Sequence, residues 1–280
     1  MHKKAEPMVT VLLPVYNAVD TIKETVESVL CQTFEDYEFI IINDGSNDGT
    51  ADLLNEFNDR RITIINKGNE GLVKTLNLGI SAAKGKYIAR VDADDICLPE
   101  RLQEQVEFLE RNPDVSVLGT VVKVLYPDGK TQIRKRPLSP EQVRKNILKI
   151  CPVAHPTVMM RTETVKGVGC YDIKFDASLG FSVGEDYHLW VKILRTGAKI
   201  ANLDKPLLIL RKTHGSVSGG KSLKFKLIER IKMRLWIKNY LNIGCWGYFP
   251  ILLVGLATIF HESGFNIDGL FNFISKNNDT

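Results

Sequence analysis

The feature that most constrains this 280-residue chain is a regular alternation of two hydrophobic periods through its first 112 residues. "VTVLLPVY" is a short β-rich run. After Asp20, which is predicted to cap a helix, Ile22, Val26, Val29 and Leu30 fall at helical spacing. The pattern then repeats: "YEFIII" as strand, "TADLLNEF" as helix, "RITIIN" as strand, "GLVKTLNLGISAA" as helix, "GKYIARV" as strand. "PERLQEQVEFLER" follows as a helix with Pro99 in its first turn. Strands alternating with helices require crossover connections, so they imply a parallel sheet covered on both faces.

Past Pro113 the pattern changes. "VSVLGTVVKVLY", a "PDG" turn and "KTQIRK" read as an antiparallel hairpin, so the sheet is expected to become mixed. A helix at "SPEQVRKNIL", a strand near "TVMMR", a helix at "EDYHLWVKILRTG" and strands at "KIANL" and "LLILRK" complete a globule by about Thr213. "KSLKFKLIERIKMRLWIK" then carries seven basic residues and one acid, with Leu223, Leu227, Ile231, Leu235 and Trp236 near one stripe. Residues 239–260 have no charged side chain. Asn242, Gly244, Gly247, Pro250 and Gly255 interrupt them, and the apolar run 251–260 is shorter than the roughly 20 residues a spanning helix needs. An interfacial or re-entrant segment is expected there.

The net charge of +4 is too mild to argue for nucleic acid, and the basic excess sits in that one segment. Five scattered cysteines with no CxxC pair argue against zinc or a disulfide framework and suit a reducing compartment. The N-terminal apolar run is short, β-branched and broken by Pro14, so it reads as the first strand rather than a signal peptide.

Open parallel sheets bind ligands at the carboxyl ends of their strands. Three loops fall there: "PVYNA", "NDGSNDGT" and "DADD". Crowding Asp92, Asp94 and Asp95 is unfavourable unless a cation or ligand collects the charge, so "DADD" is either a solvated turn or a metal site. In extended backbone Asp92 and Asp94 project to one side, and hard carboxylates suit Mg²⁺ or Mn²⁺ beside substrate phosphates. "NDGSNDGT" is equally compatible with a Gly-rich turn. No GxGxxG follows a strand and no GxxxxGK[ST] occurs, which leaves neither a dinucleotide fold nor a P-loop. "GEDYHLWVK" opens a helix with Glu185 and Asp186 in its first turn. It is either an exposed charged turn favoured by the helix dipole or a carboxylate base beside Trp190 as a platform for a sugar face.

"VTVLLPVYNA", "FIIINDGSNDGT", "GLVKTLNLGISAAKGKYIARVDADD", "HPTVMMR", "GEDYHLW" and "HGSVS" occur in an order and spacing that closely resembles family 2 glycosyltransferases from about residue 8 to 218. The resemblance implies an α/β GT-A fold, a Rossmann-like mixed sheet flanked by helices, with residues 1–112 as nucleotide-binding half and 113–218 as acceptor-binding half. Residues 219–280 become a helical, membrane-associating extension. It implies transfer of a sugar with inversion from a nucleotide diphosphate, UDP above others, to a saccharide or lipid-linked saccharide in cell-envelope polysaccharide synthesis. Pro14, Tyr16 and Asn17 match the motif lining the base pocket, Asp44 the acidic residue bonding the base, Asp92 the ribose contact and Asp94 the ligand of Mn²⁺ or Mg²⁺. Asp186 matches the catalytic base, with Glu185 and Trp190 shaping the acceptor side. His214 matches a position that reaches metal or diphosphate in some relatives, and His155 acceptor-site architecture. Where many relatives have Arg before the Asn of the preceding helix, this chain has Leu76 before Asn77. The basic helix, with Trp236 and Trp246, then implies a peripheral place at the cytoplasmic membrane face, each Lys or Arg near an anionic leaflet contributing about 1 kcal/mol. The rival classes are a nucleotide-sugar-binding module without turnover and a nucleotidyltransferase. The latter would need a Gly-rich basic loop that "PVYNAVDT" does not offer.

Overall fold

The computed structural model describes residues 6–175, 184–212, 223–244, 247–248 and 251–252. Four parallel strands lie side by side in the order β3-β2-β1-β4: β1 (Val9–Val15), β2 (Tyr37–Asp44), β3 (Ile62–Lys67) and β4 (Tyr87–Arg90). All of β1 and nearly all of β2 is buried, as expected of strands with helices on both faces. The crossovers are α1 (Ile22–Leu30), α2 (Thr50–Asn55) and α3 (Leu72–Ala82), and α4 (Arg101–Arg111) follows β4. Helix α1 buries Ile22, Val26 and Val29, the stripe seen in the sequence.

Two helix starts differ from expectation. Thr21, not Asp20, occupies the N-cap of α1, and no side chain caps it. The Thr21 hydroxyl instead donates to the Ala93 carbonyl at 2.8 Å, and the Thr25 hydroxyl reaches Ala93 and Asp95 carbonyls at 3.0 and 2.9 Å, tying α1 to the loop after β4. Pro99 stands just before Glu100, the N-cap of α4, rather than in its first turn.

Close packing at the start of β4 leaves no room for a side chain at Gly85: an added Cβ would lie 2.4 Å from the Thr10 nitrogen and 2.6 Å from the Val9 carbonyl carbon. These are backbone atoms, so no rotamer change relieves the clash. Gly85→Ala is expected to destabilise the protein by about 1 to 3 kcal/mol or more, read as a lower denaturant midpoint.

The sheet becomes mixed beyond β4, as the hairpin pattern predicts. Antiparallel β8 (Met159–Arg161) pairs with β4, then come β6 (Val115–Leu125), β9 (Lys199–Arg211) and short β5 (Ile96–Cys97), while β7 (Thr131–Arg134) pairs only with β6. This makes nine strands among the described residues. The two strands expected at "KIANL" and "LLILRK" are one, β9. Its pairing with β6 jumps from Leu203 to Pro206, so exposed Asp204 and Lys205 bulge out and Pro206, which has no N–H to give, is accommodated. Helix α5 (Pro140–Asn146) begins with a capping box between Ser139 and Gln142; α6 (Thr162–Gly167) and α7 (Glu185–Arg195) follow.

The chain forms two compact units, Met1–Ile147 with Cys151–Ser216, and Leu148–Ile150 with Val217–Thr280. In the second, α8 (Leu223–Tyr240) carries Arg234, whose guanidinium donates to the carbonyls of Leu148 and Lys149, and Trp236 stacks on Tyr240 at 4.8 Å. Among the described residues no helix is long and apolar enough to cross a membrane. Trp246, Pro250 and residues 253–260 of the predicted interfacial segment lie outside the described residues.

Candidate active site

Because β1, β2 and β4 run parallel, the loops that follow them leave one rim of the sheet. Strands lie about 4.8 Å apart, so the ends of β2 and β4, two steps apart across β1, are about 10 Å from each other. The first two loops are knitted together. Asn17, at φ +48°, donates its N–H to the Ser46 hydroxyl at 3.0 Å and accepts from the Asn47 N–H at 2.9 Å. Asp48 accepts from the Val19 N–H at 3.0 Å. Pro14 is buried inside β1, whereas Tyr16 is 51% exposed and can offer its ring to a planar ligand.

Asp44 is buried and already well occupied. Its carboxylate accepts from the ammonium of Lys67 and from the N–H groups of Glu70 and Gly71, both at 2.9 Å. A carboxylate has roughly four acceptor positions, so about one remains for a ligand. Asp44 therefore anchors the loop leading into α3, which its pattern in the sequence did not disclose.

In "DADD" all three carboxylates converge: one oxygen from each of Asp92, Asp94 and Asp95 lies within 4.8 Å of the others. Asp92 pairs with Arg90, one contact being Nη1 to Oδ2 at 2.8 Å. Arg211 donates from Nε to the Asp94 carbonyl at 2.6 Å and from its backbone N–H to Asp95 Oδ1 at 3.2 Å. Asp95 is 1% exposed and its Oδ2 has no hydrogen-bond partner among the described residues. Burial, then Asp92 and Asp94, push the Asp95 carboxyl up to about 8; burial and Asp92 raise Asp94 as well. Converging hard oxygens, one of them buried and unpaired, fit a divalent cation, which would reverse this preference for the protonated forms. Asp95 stood in the sequence as part of the acidic run without a role of its own, and Arg90 and Arg211 were not singled out. Arg90 lies two residues before Asp92 and was visible; Arg211 lies more than a hundred residues away and carried no local signal.

Glu185 and Asp186 open α7 after Gly184, whose φ of 99° is left-handed. Asp186 Oδ1 accepts from the Tyr187 N–H at 2.6 Å, and the Cys151 thiol donates to Oδ2 at 3.6 Å. Burial pushes the Asp186 carboxyl up, while Arg90 and Arg136 pull it down. Glu185 approaches His155 Nδ1 at 3.8 Å, and His155 Nε2 meets the Tyr171 hydroxyl at 2.7 Å. Burial, assisted by Arg90, keeps His155 neutral. The Tyr171 backbone exchanges two hydrogen bonds with the Asn77 amide, at 2.9 and 3.0 Å. Asn77 thus braces the site while Leu76 beside it is fully buried. Trp190 is not an open platform: it is 0% exposed, with its ring edge-on to His155 at 5.9 Å. It sits four residues past Asp186, where the helix turns its side chains into the core. His214 lies outside the described residues.

Arg90 links the two acidic sets. Its buried guanidinium, held charged, feels Asp92, Asp95 and Glu185 and acts on Asp186 and Asp94. One buried cation facing both sets brings "DADD" and the start of α7 into one electrostatic neighbourhood.

Comparison with known proteins shows the family. The family model for Glycosyl transferase family 2 matches residues 10–167. An uncharacterized glycosyltransferase of Haemophilus influenzae is 34% identical over 224 residues, which are 75% of this chain and 67% of that protein. The putative glycosyltransferase EpsE of Bacillus subtilis is 34% identical, covering 73% of each. An Escherichia coli protein named UDP-Glc:alpha-D-GlcNAc-diphosphoundecaprenol beta-1,3-glucosyltransferase WfaP is 31% identical over 87% of this chain and 93% of its own length. The fold matches S. aureus TarS 1-349 in complex with UDP-GlcNAc with a TM-score of 0.68 at 21% identity, over 90% of this chain and 72% of that one. With the mixed sheet, the rim of acidic loops and these likenesses together, the chain belongs to glycosyl transferase family 2 and is a glycosyltransferase of the GT-A fold.

Proposed function

We propose that this glycosyltransferase takes its sugar from a UDP-sugar and transfers it with inversion to a hydroxyl of a lipid-linked saccharide, with Asp186 as general base. The observation that carries the reading is that the buried Arg90 guanidinium pairs with Asp92 of "DADD" and also acts on Glu185 and Asp186. Residues 1–112 would hold the donor: Tyr16 stacks on the base, the remaining acceptor position of Asp44 takes a base N–H, Pro14 and Asn17 shape the pocket and Asp92 meets the ribose. Asp94, with Asp95 beside it, would hold Mn²⁺ or Mg²⁺, and such a cation supplies Lewis-acid stabilisation of the departing diphosphate.

Residues 113–218 would hold the acceptor. Its hydroxyl gives its proton to Asp186 as the oxygen attacks the anomeric carbon, and the bond from that carbon to the diphosphate breaks on the opposite face. One displacement inverts the centre, so no second carboxylate nucleophile is needed. Glu185, held against neutral His155, would orient the acceptor rather than share the proton. The WfaP relative, named for a diphosphoundecaprenol acceptor, and the basic helix α8 support a lipid-linked acceptor met peripherally at the inner membrane face.

Calorimetry with a panel of nucleotides tests the donor. UDP is expected to bind with Mn²⁺ or Mg²⁺ present and to bind poorly after chelation. Tighter binding of another nucleoside diphosphate, or affinity indifferent to the cation, would remove the UDP and metal assignments.

A further inference from the structure

We propose that Arg136, with Lys135 beside it, forms an anion subsite next to Asp186 that takes a phosphate group carried by the acceptor. The inference rests on the reading of Asp186 as the base and extends it to what the acceptor must bring.

Arg136 Nη1 donates to the Cys151 carbonyl at 3.3 Å, and the Cys151 thiol donates to Asp186. One residue therefore separates the guanidinium from the base, and the Arg136 charge acts on both Cys151 and Asp186. Yet Arg136 has no carboxylate within ion-pair reach among the described residues. A guanidinium carries five N–H donors, and this one spends a single donor on the described residues. Among the described residues its Nε is buried with no hydrogen-bond partner, although the side chain as a whole is partly exposed. A buried unpaired donor is costly, and a cation set beside a general base makes that base weaker. Both costs are offset if an anion completes the site when the substrate is bound.

The surroundings fit such a ligand. The stretch "GKTQIRKRPL" holds Lys130, Arg134, Lys135 and Arg136 and no acid. Lys130 is paired with Asp128 and Arg134 donates to the Tyr126 hydroxyl, while Lys135 is exposed and makes no ion pair among the described residues. Two cations without an ion pair among the described residues thus follow β7, which among those residues pairs only with β6. Arginine suits phosphate because its planar fork matches phosphate oxygens. A neutral sugar acceptor would give Arg136 no counter-charge. A phosphate-bearing acceptor would.

The test uses the full chain saturated with UDP and excess Mg²⁺, titrated calorimetrically with n-octyl diphosphate. Octyl glucoside serves as the uncharged arm and inorganic phosphate as the free-anion arm. The parent is expected to bind octyl diphosphate. Arg136→Gln should weaken it about 10- to 100-fold, the loss of a charge-assisted contact, with UDP affinity unchanged. Arg136→Lys, which keeps the charge and loses the fork, should restore part of the binding, and Lys135→Gln, on an exposed side chain, should cost a few-fold and serves as the test should Arg136→Gln fail to fold. Loss of inorganic phosphate binding in parallel identifies the phosphate alone as the ligand; binding of the alkyl diphosphate only points to a lipid-type headgroup. Equal octyl diphosphate affinity in parent and Arg136→Gln, or equal losses for octyl glucoside, overturns the subsite. If UDP itself fails to bind the parent, the proposed function falls instead, and the same titration without UDP still reads the subsite.

Discussion

Asp186→Asn is expected to retain UDP binding and to lower sugar transfer about 10²- to 10⁴-fold, the usual contribution of a positioned base. The amide matches the carboxylate in shape and can still accept from the Tyr187 N–H, so the fold of α7 should survive and the loss should lie in kcat. Rates of UDP release, measured beside UDP affinity, separate the two. The parent should also show an acid limb in kcat/KM above the ordinary carboxylate range, because burial raises the Asp186 carboxyl. The sign follows from the role: below its pKa Asp186 is protonated and cannot accept the acceptor's proton, so the rate falls as pH falls. Transfer by Asp186→Asn at the parental rate would exclude it as the base.

Asp94→Asn should weaken cation-dependent UDP binding by at least about 10- to 100-fold, since losing a ligand costs no less than losing a residue that orients one. The converged acids add a check on stability. The folded pKa of Asp95, about 8, lies above its unfolded value, so protonation favours the folded state. That contribution is complete below the ordinary carboxylate range and is lost as pH rises through about 8. Metal-free protein should therefore melt lower at pH 8 than at pH 5, and added Mn²⁺ should restore stability at pH 8. A melting temperature indifferent to Mn²⁺ at pH 8 would count against the carboxylates as its ligands.

What was legible beforehand depended on how local the signal was. The helix stripe of α1 and the buried runs of β1 and β2 were written in hydrophobic period alone, and the structure reproduces them. The break in β9 was misread because Asp204, Lys205 and Pro206 look like a connection. Inside a sheet they are a bulge in one strand. Trp190 was misplaced for a similar reason: an aromatic residue near an acidic pair suggests a sugar platform, but helical geometry turns this ring into the core.

The order of strands and helices by itself determined that the loops after β1, β2 and β4 share one rim, because parallel strands joined by crossovers permit nothing else. The motifs, taken in sequence order, resembled family 2 glycosyltransferases, and the family model bears that out. Only the tertiary structure decided how each acid is held: Asp44 by the loop before α3, Asp92 by Arg90, Asp95 by Arg211 and Asp186 by Cys151. Most of these partners are distant along the chain and meet through strand register and helix packing. Local periodicity encodes which face a residue takes, and the charge environment of a carboxylate is set by whatever the rest of the chain brings against that face.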